Sequence, residues 1–241
     1  MILPNVRASF GREEAGWLTR LRAGDDPDAG RRFESMVAER GIDLLLDEPA
    51  TAQAILSDSG VSRVPASLVI YVLLRRSLLD HGIQSRTVAD YLAALVLQFA
   101  REKRALRVAE HDDVEYGYLV DIVSDLDSAD RRRAFLLRAH LGNFALWLSG
   151  LFPDYIVARV HRKGGPGLEY YEEMGRVGFG MAAEDPIARE QSLDDLYRDL
   201  AGCFEPLRRA LNRFSDTHLL PVPASPADRL IRQVQSGFGS V

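Results

Sequence analysis

Three side chains in the middle of the chain have the types and spacing to hold a ligand. His140, Asn143 and Trp147 fall at i, i+3 and i+7 of a helical pattern, so an imidazole, an amide and an indole share one face. Their surround, Leu136–Phe152, is almost wholly apolar. A buried polar group left without a partner costs roughly 1–3 kcal/mol, so neighbouring helices or a ligand must satisfy this face. The following segment, His161 to Gly167, is basic and then glycine-rich. With Arg162 and Lys163 beside the start of another helix, it has the makings of an anion site. Tyr170, early in that next helix, completes the proposed lining.

A second set of residues could hold a metal. Val108–Asp130 carries eight carboxylates and no Lys or Arg, with arginine-rich runs on either side. Asp121 and Asp125 lie at i, i+4, where like charges repel unless a cation or an arginine intervenes. His111-Asp112, with His81 upstream and Asp121 or Asp125 downstream, resembles the ligand set of the all-helical HD-type phosphohydrolases. Imidazole with carboxylate suits a divalent ion that activates water. The Asp-x-x-x-Asp spacing recurs at Asp195–Asp199 and resembles the isoprenoid synthases, which hold diphosphate through Mg²⁺. Asp194 and Asp195 serve equally well as first-turn residues of a helix.

A third pattern is a helix-turn-helix over Leu78–Leu92, with Gly82 in the turn and Ser85–Tyr91 opening the second helix. That helix continues LAALVLQFA, apolar nearly all round, which points to burial. The net charge of −5 also disfavours nucleic acid, whose binding rests on phosphate neutralisation. No standard zinc, di-iron, Walker or serine-nucleophile motif occurs, and no motif specifies a cofactor.

These residues must be positioned by helices. Helical periodicity covers nearly every segment of the 241 residues, and no strand alternation stands out. The spacing predicts helices over 9–22, 28–40, a short one opening at Glu48-Pro49, 66–81, 86–103, 112–126, 129–151, 154–162, 168–183, 193–204 and 206–216. The expected fold is all-α: a single multi-helix bundle of about nine to ten helices, with Ala129–Leu151 long and central. A smaller helical subdomain over 1–62 is compatible with the pattern, and 219–241 reads as a proline-rich tail. Ser85 is the expected N-cap of one helix, and Asp127 or Ser128 of the central one.

The lone cysteine, Cys203, excludes an intramolecular disulfide and fits a reducing compartment. The apolar runs Tyr91–Ala100 and Leu141–Phe152 are shorter than the roughly 20 residues that a bilayer requires. A cytoplasmic location is expected. The leading functional expectation is a non-catalytic module that binds a protein partner or a small anionic or amphipathic ligand. Its pocket would lie between the central helix and 168–183, lined by His140, Asn143, Trp147 and Tyr170, with Arg162 and Lys163 at its mouth. The alternatives are a metal-dependent phosphohydrolase or diphosphate-handling enzyme using His81, His111, Asp112, Asp121 and Asp125, and a DNA-binding regulator. Homo-oligomerisation is compatible with a helical bundle, although no heptad run specifies it.

Overall fold

A computed structural model describes residues 1–57, 64–101, 104–110 and 112–219. Among these residues the architecture is all-α, with thirteen α-helices and no strand. The chain divides into two compact units: Ile2–Leu97, and Gln98 onward together with Met1.

The N-terminal unit contains α1 (Arg12–Ala23), α2 (Pro27–Arg40), α3 (Asp43–Asp47), α4 (Pro49–Ser57), α5 (Ala66–Asp80) and most of α6 (Arg86–Phe99). Its helix boundaries follow local chemistry. Asp26 caps α2 by accepting from the Asp28 amide at 2.8 Å, and Pro27 supplies the first helical residue. Ser85 is the N-cap of α6 as expected, its hydroxyl accepting from the Val88 amide at 3.3 Å. Between α5 and α6, Gly82 takes φ 78°, a conformation that glycine adopts without a Cβ penalty. Arg75, 2% exposed, braces this turn. It donates to Asp47 at 2.7 Å and to the carbonyls of Ile83 and Ser85 at 3.4 Å. Arg86 donates to the same Asp47 carboxylate at 2.7 Å. Burial alone would raise the Asp47 pKa, but the hydrogen bonds from Arg75 and Arg86 hold it below its usual value.

The C-terminal unit is assembled around α8 (Arg131–Leu151), whose 21 residues span about 30 Å. Before it come a 3₁₀ turn at Arg104–Leu106, an irregular stretch and α7 (Leu119–Leu126). After it come α9 (Pro153–Lys163), α10 (Leu168–Glu184), α11 (Pro186–Glu190), α12 (Asp194–Gly202), α13 (Phe204–Phe214) and a π-helical turn at Ser215–Leu219. Helices α7, α9, α10 and α13 pack against α8.

Glycine makes these contacts close. A Cβ on Gly178 of α10 would stand 2.6 Å from the Gly142 amide nitrogen and 2.9 Å from the Arg138 carbonyl oxygen of α8. A Cβ on Gly142 would stand 2.5 Å from the Phe179 ring, and one on Gly150 would stand 2.8 Å from Leu211 of α13. A Cβ on Gly175 would strike the Phe204 ring. Gly180 is different, with open space where a Cβ would go.

The C-terminal end of α8 is closed by distant side chains. Asn212 Nδ2 donates to the carbonyls of Ser149 at 2.9 Å and Gly150 at 2.6 Å, and Ser215 Oγ donates to that of Leu151 at 3.0 Å. These carbonyls are among those a helix end leaves without an intrahelical donor.

Several boundaries differ from the periodic reading. Residues 112–118 are not helical, because Asp112 forms an Asx turn by accepting from the Val114 amide at 3.1 Å. The N-cap of α8 is Asp130, not Asp127 or Ser128, and it accepts from the Arg133 amide at 2.9 Å. The five-residue helices α3 and α11 are too short to display a helical period. The proline-rich segment from 220 lies outside the described residues.

Candidate functional site

Helix α8 carries different neighbours on its different sides. His140 is 3% exposed and faces an aromatic cluster. Its ring stacks on Phe144 at 5.9 Å between centroids and lies 5.8 Å from Phe99 and 6.3 Å from Tyr116. Trp147 extends the cluster by an edge contact with Phe99 at 5.5 Å. Gly142, two residues on and therefore about 200° around the helix, faces α10. His140 and α10 thus occupy different sides of α8. Tyr170 makes its ring contact with Tyr171, at 5.8 Å. Arg162 and Lys163 stand exposed in the last turn of α9, where cations complement the helix dipole. Of the proposed lining, the structure brings together His140 and Trp147 through Phe99, with Asn143 buried on the same helix.

Nε2 of His140 has no hydrogen-bond partner. Burial, then the nearby positive charges of Arg104 and the terminal amine, push its pKa down to about 3. The imidazole is neutral at physiological pH and packs as an aromatic ring.

The polar end of the cluster is Tyr116, which connects His140 to an open cleft. Its hydroxyl donates to Asp125 at 2.6 Å and accepts from Arg133 at 2.8 Å. Arg133 also donates to Asp112 at 3.1 Å. Burial and the hydrogen bond to Asp125 push the Tyr116 pKa up to about 12, so the phenol stays protonated. The backbone holds Tyr116 in place, its amide donating to the Leu106 carbonyl at 2.7 Å.

The cleft measures about 730 Å³ and runs from Ala109 to Leu136. Five carboxylates (Glu110, Asp112, Asp113, Asp125 and Asp130) and two arginines (Arg132 and Arg133) line it, a formal −3. Val114 and Leu136 supply apolar wall.

The metal candidates have other engagements. Asp112 and Asp125 are held by Arg133 and Tyr116, while Asp121 is exposed on α7. Nδ1 of His81 donates to the Ser77 carbonyl at 2.8 Å, and His111 lies outside the described residues. Among the described residues, no three His, Cys, Asp or Glu side chains gather as a metal-binding group. Asp194 and Asp195 both pair with Arg198.

In the helix-turn-helix segment, Val88 to Val96 are all buried, and Arg86 is spent on Asp47. A recognition helix needs an exposed face, and this one exposes Arg86 and Thr87 at its start.

The sequence reading passed over Tyr116 and Arg133. Gly117, with the Asp112-Asp113 pair, is the turn signal that could have located the bend carrying Tyr116. Nothing local links Arg133 to residues 17 and 21 positions away. Among the described residues, no helix is long and apolar enough to cross a membrane. No protein-family model, curated protein or solved structure gives a significant match to this chain.

Proposed function

We propose that this protein is a non-catalytic binding module whose ligand is a small amphipathic molecule bearing an amine. The observation that carries the reading is the excess of carboxylates in a cleft whose arginines are partly neutralised. Arg133 is already paired with Asp112, which leaves Asp113, and Glu110 beyond its long 3.9 Å contact with Arg101, to receive a cation while Val114 and Leu136 meet an apolar body. Tyr116, buried behind the cleft wall, fixes in place the Asp125 carboxylate and the Arg133 guanidinium that line it.

This reading reverses the sign of the ligand charge expected from Arg162 and Lys163, which lie at the end of α9. Calorimetry with a series of alkylamines and their carboxylate counterparts tests it. Binding of the amines, lost at least about tenfold in the Asp113→Asn/Glu110→Gln variant, is expected, a loss of about 1.4 kcal/mol. Equal binding of amines and carboxylates, or amine binding indifferent to the double substitution, would refute the assignment.

A further inference from the structure

The C-terminal unit carries a second surface, distinct from the cleft. Arg159 of α9 lies over two tyrosine rings at once, 4.7 Å from the centroid of Tyr118 and 5.6 Å from that of Tyr155. Both tyrosines are half exposed, at 52% and 51%, and Val120, two residues after Tyr118, is 57% exposed. Large aromatic side chains stacked with arginine and left in water are what interface centres are made of.

The charges on either side of this centre differ in sign. On α9, Tyr155, Arg159, Arg162 and Lys163 follow at i, i+4, i+7 and i+8, so the exposed face becomes cationic toward the helix C-terminus. On α7, Tyr118 is the N-cap and is followed by the exposed carboxylates of Asp121 and Asp127. None of Asp121, Asp127, Arg162 and Lys163 forms an ion pair with another described residue, whereas Arg133, Arg138 and Arg208 all do. The patch therefore has an aromatic middle that carries Arg159, with the unpaired carboxylates of Asp121 and Asp127 on the α7 side and the unpaired cations of Arg162 and Lys163 on the α9 side.

A surface of this kind is complementary to itself after a two-fold rotation, which lays the acidic flank of one copy on the basic flank of the other and tyrosine on tyrosine. We infer that a second copy of this chain docks here, forming an isologous dimer through Tyr118 and Tyr155 with Asp121 and Asp127 facing Arg162 and Lys163. A partner that was uniformly acidic would leave the α7 carboxylates facing like charge, and a uniformly basic one would do the same to α9. A second copy satisfies both flanks at once.

The test is sedimentation equilibrium of the full chain at low and high salt, about 50 and 500 mM. The wild type is expected to dimerise with a Kd on the order of 10 µM that weakens at least tenfold at high salt, as befits a small, charge-flanked patch. Arg162→Glu/Lys163→Glu makes both flanks acidic and Asp121→Lys/Asp127→Lys makes both basic, so each variant alone is expected to be monomeric. An equimolar mixture of the two is expected to regain the dimer mass, because each reversed flank then meets its opposite. Recovery also proves that both variants are folded. A wild type that stays monomeric at about 100 µM in low salt, ten times the expected Kd, overturns the inference. So does a dimer that survives either double reversal, or a pair of monomeric variants whose mixture stays monomeric.

Discussion

Gly178 and Gly180 are two residues apart on α10, and alanine is expected to act on them in opposite directions. Alanine is the better helix former by about 1 kcal/mol, a gain available at both positions. At Gly180 nothing lies within 4 Å of the new methyl, so Gly180→Ala should realise most of that gain. For a chain of this size 1 kcal/mol corresponds to a rise in Tm of roughly 2–4 °C. At Gly178 the methyl would lie 2.6 Å from one backbone atom and 2.9 Å from another, neither of which can rotate away. Helices α8 and α10 must part by about 1 Å to reach an ordinary contact distance. Overpacking of this kind costs about 1–3 kcal/mol. A gap of that width also forfeits a quarter to a half of each dispersion contact along the crossing. Because both obstructing atoms are backbone, the cost falls at the upper end of that range, and subtracting the propensity gain leaves Gly178→Ala destabilised by roughly 2 kcal/mol, or a fall in Tm of about 4–8 °C. Urea unfolding followed by circular dichroism, with calorimetry for Tm, measures both variants. The reasoning is refuted if Gly178→Ala lies within about 0.5 kcal/mol of wild type, or if Gly180→Ala loses as much as Gly178→Ala.

Two further outcomes follow from buried polar groups. The folded pKa of His140, about 3, lies below its unfolded value, so the residue takes up a proton on unfolding once the pH falls below about 6.5. Stability should therefore be full near neutrality and fall by up to about 1.4 kcal/mol per pH unit between roughly pH 6 and 4, and His140→Leu should flatten that slope; an unchanged slope in urea titrations would exclude His140 as its source. Asp47→Asn removes the carboxylate shared by Arg75 and Arg86 and leaves Arg75 charged in a buried site. A loss of about 2–3 kcal/mol is expected, below the 3–5 of a fully buried pair because the Asp47 side chain is a quarter exposed; a change under about 0.5 kcal/mol in denaturant melts would show that the turn holds without it.

Much of the helical framework was legible because its punctuation is local. Asp26-Pro27, Pro49, Ser85 and Pro153 each act within one turn of their own position. The helices α3 and α11 escaped because five residues do not complete two turns of a period. The stretch 112–118 was misread because acids at a helix start and an Asx turn share the same residue types; hydrogen bonding by Asp112 decided between them. The burial of His140 was readable from its apolar surround. Which neighbour it faces was not, since periodicity groups residues by side of a helix and says nothing about what covers that side. Gly178 illustrates the point: it reads as a weak helix residue, and its reason is the α8 backbone at Gly142 and Arg138, far away in the sequence. Tyr116 and Arg133 belong together only through a contact spanning 17 residues.

The closure of α8 by Asn212 and Ser215 bears on the order in which the protein can be completed during synthesis. The donors to the carbonyls of Ser149, Gly150 and Leu151 are encoded 62 to 64 residues later. At roughly 5–20 residues per second, the ribosome needs about 3–13 s to supply them. During that interval the last turn of α8 must rely on water for its acceptors, however early its middle has formed. The longest helix among the described residues is thus begun by its own Asp130 and finished by residues that do not yet exist when it first leaves the ribosome.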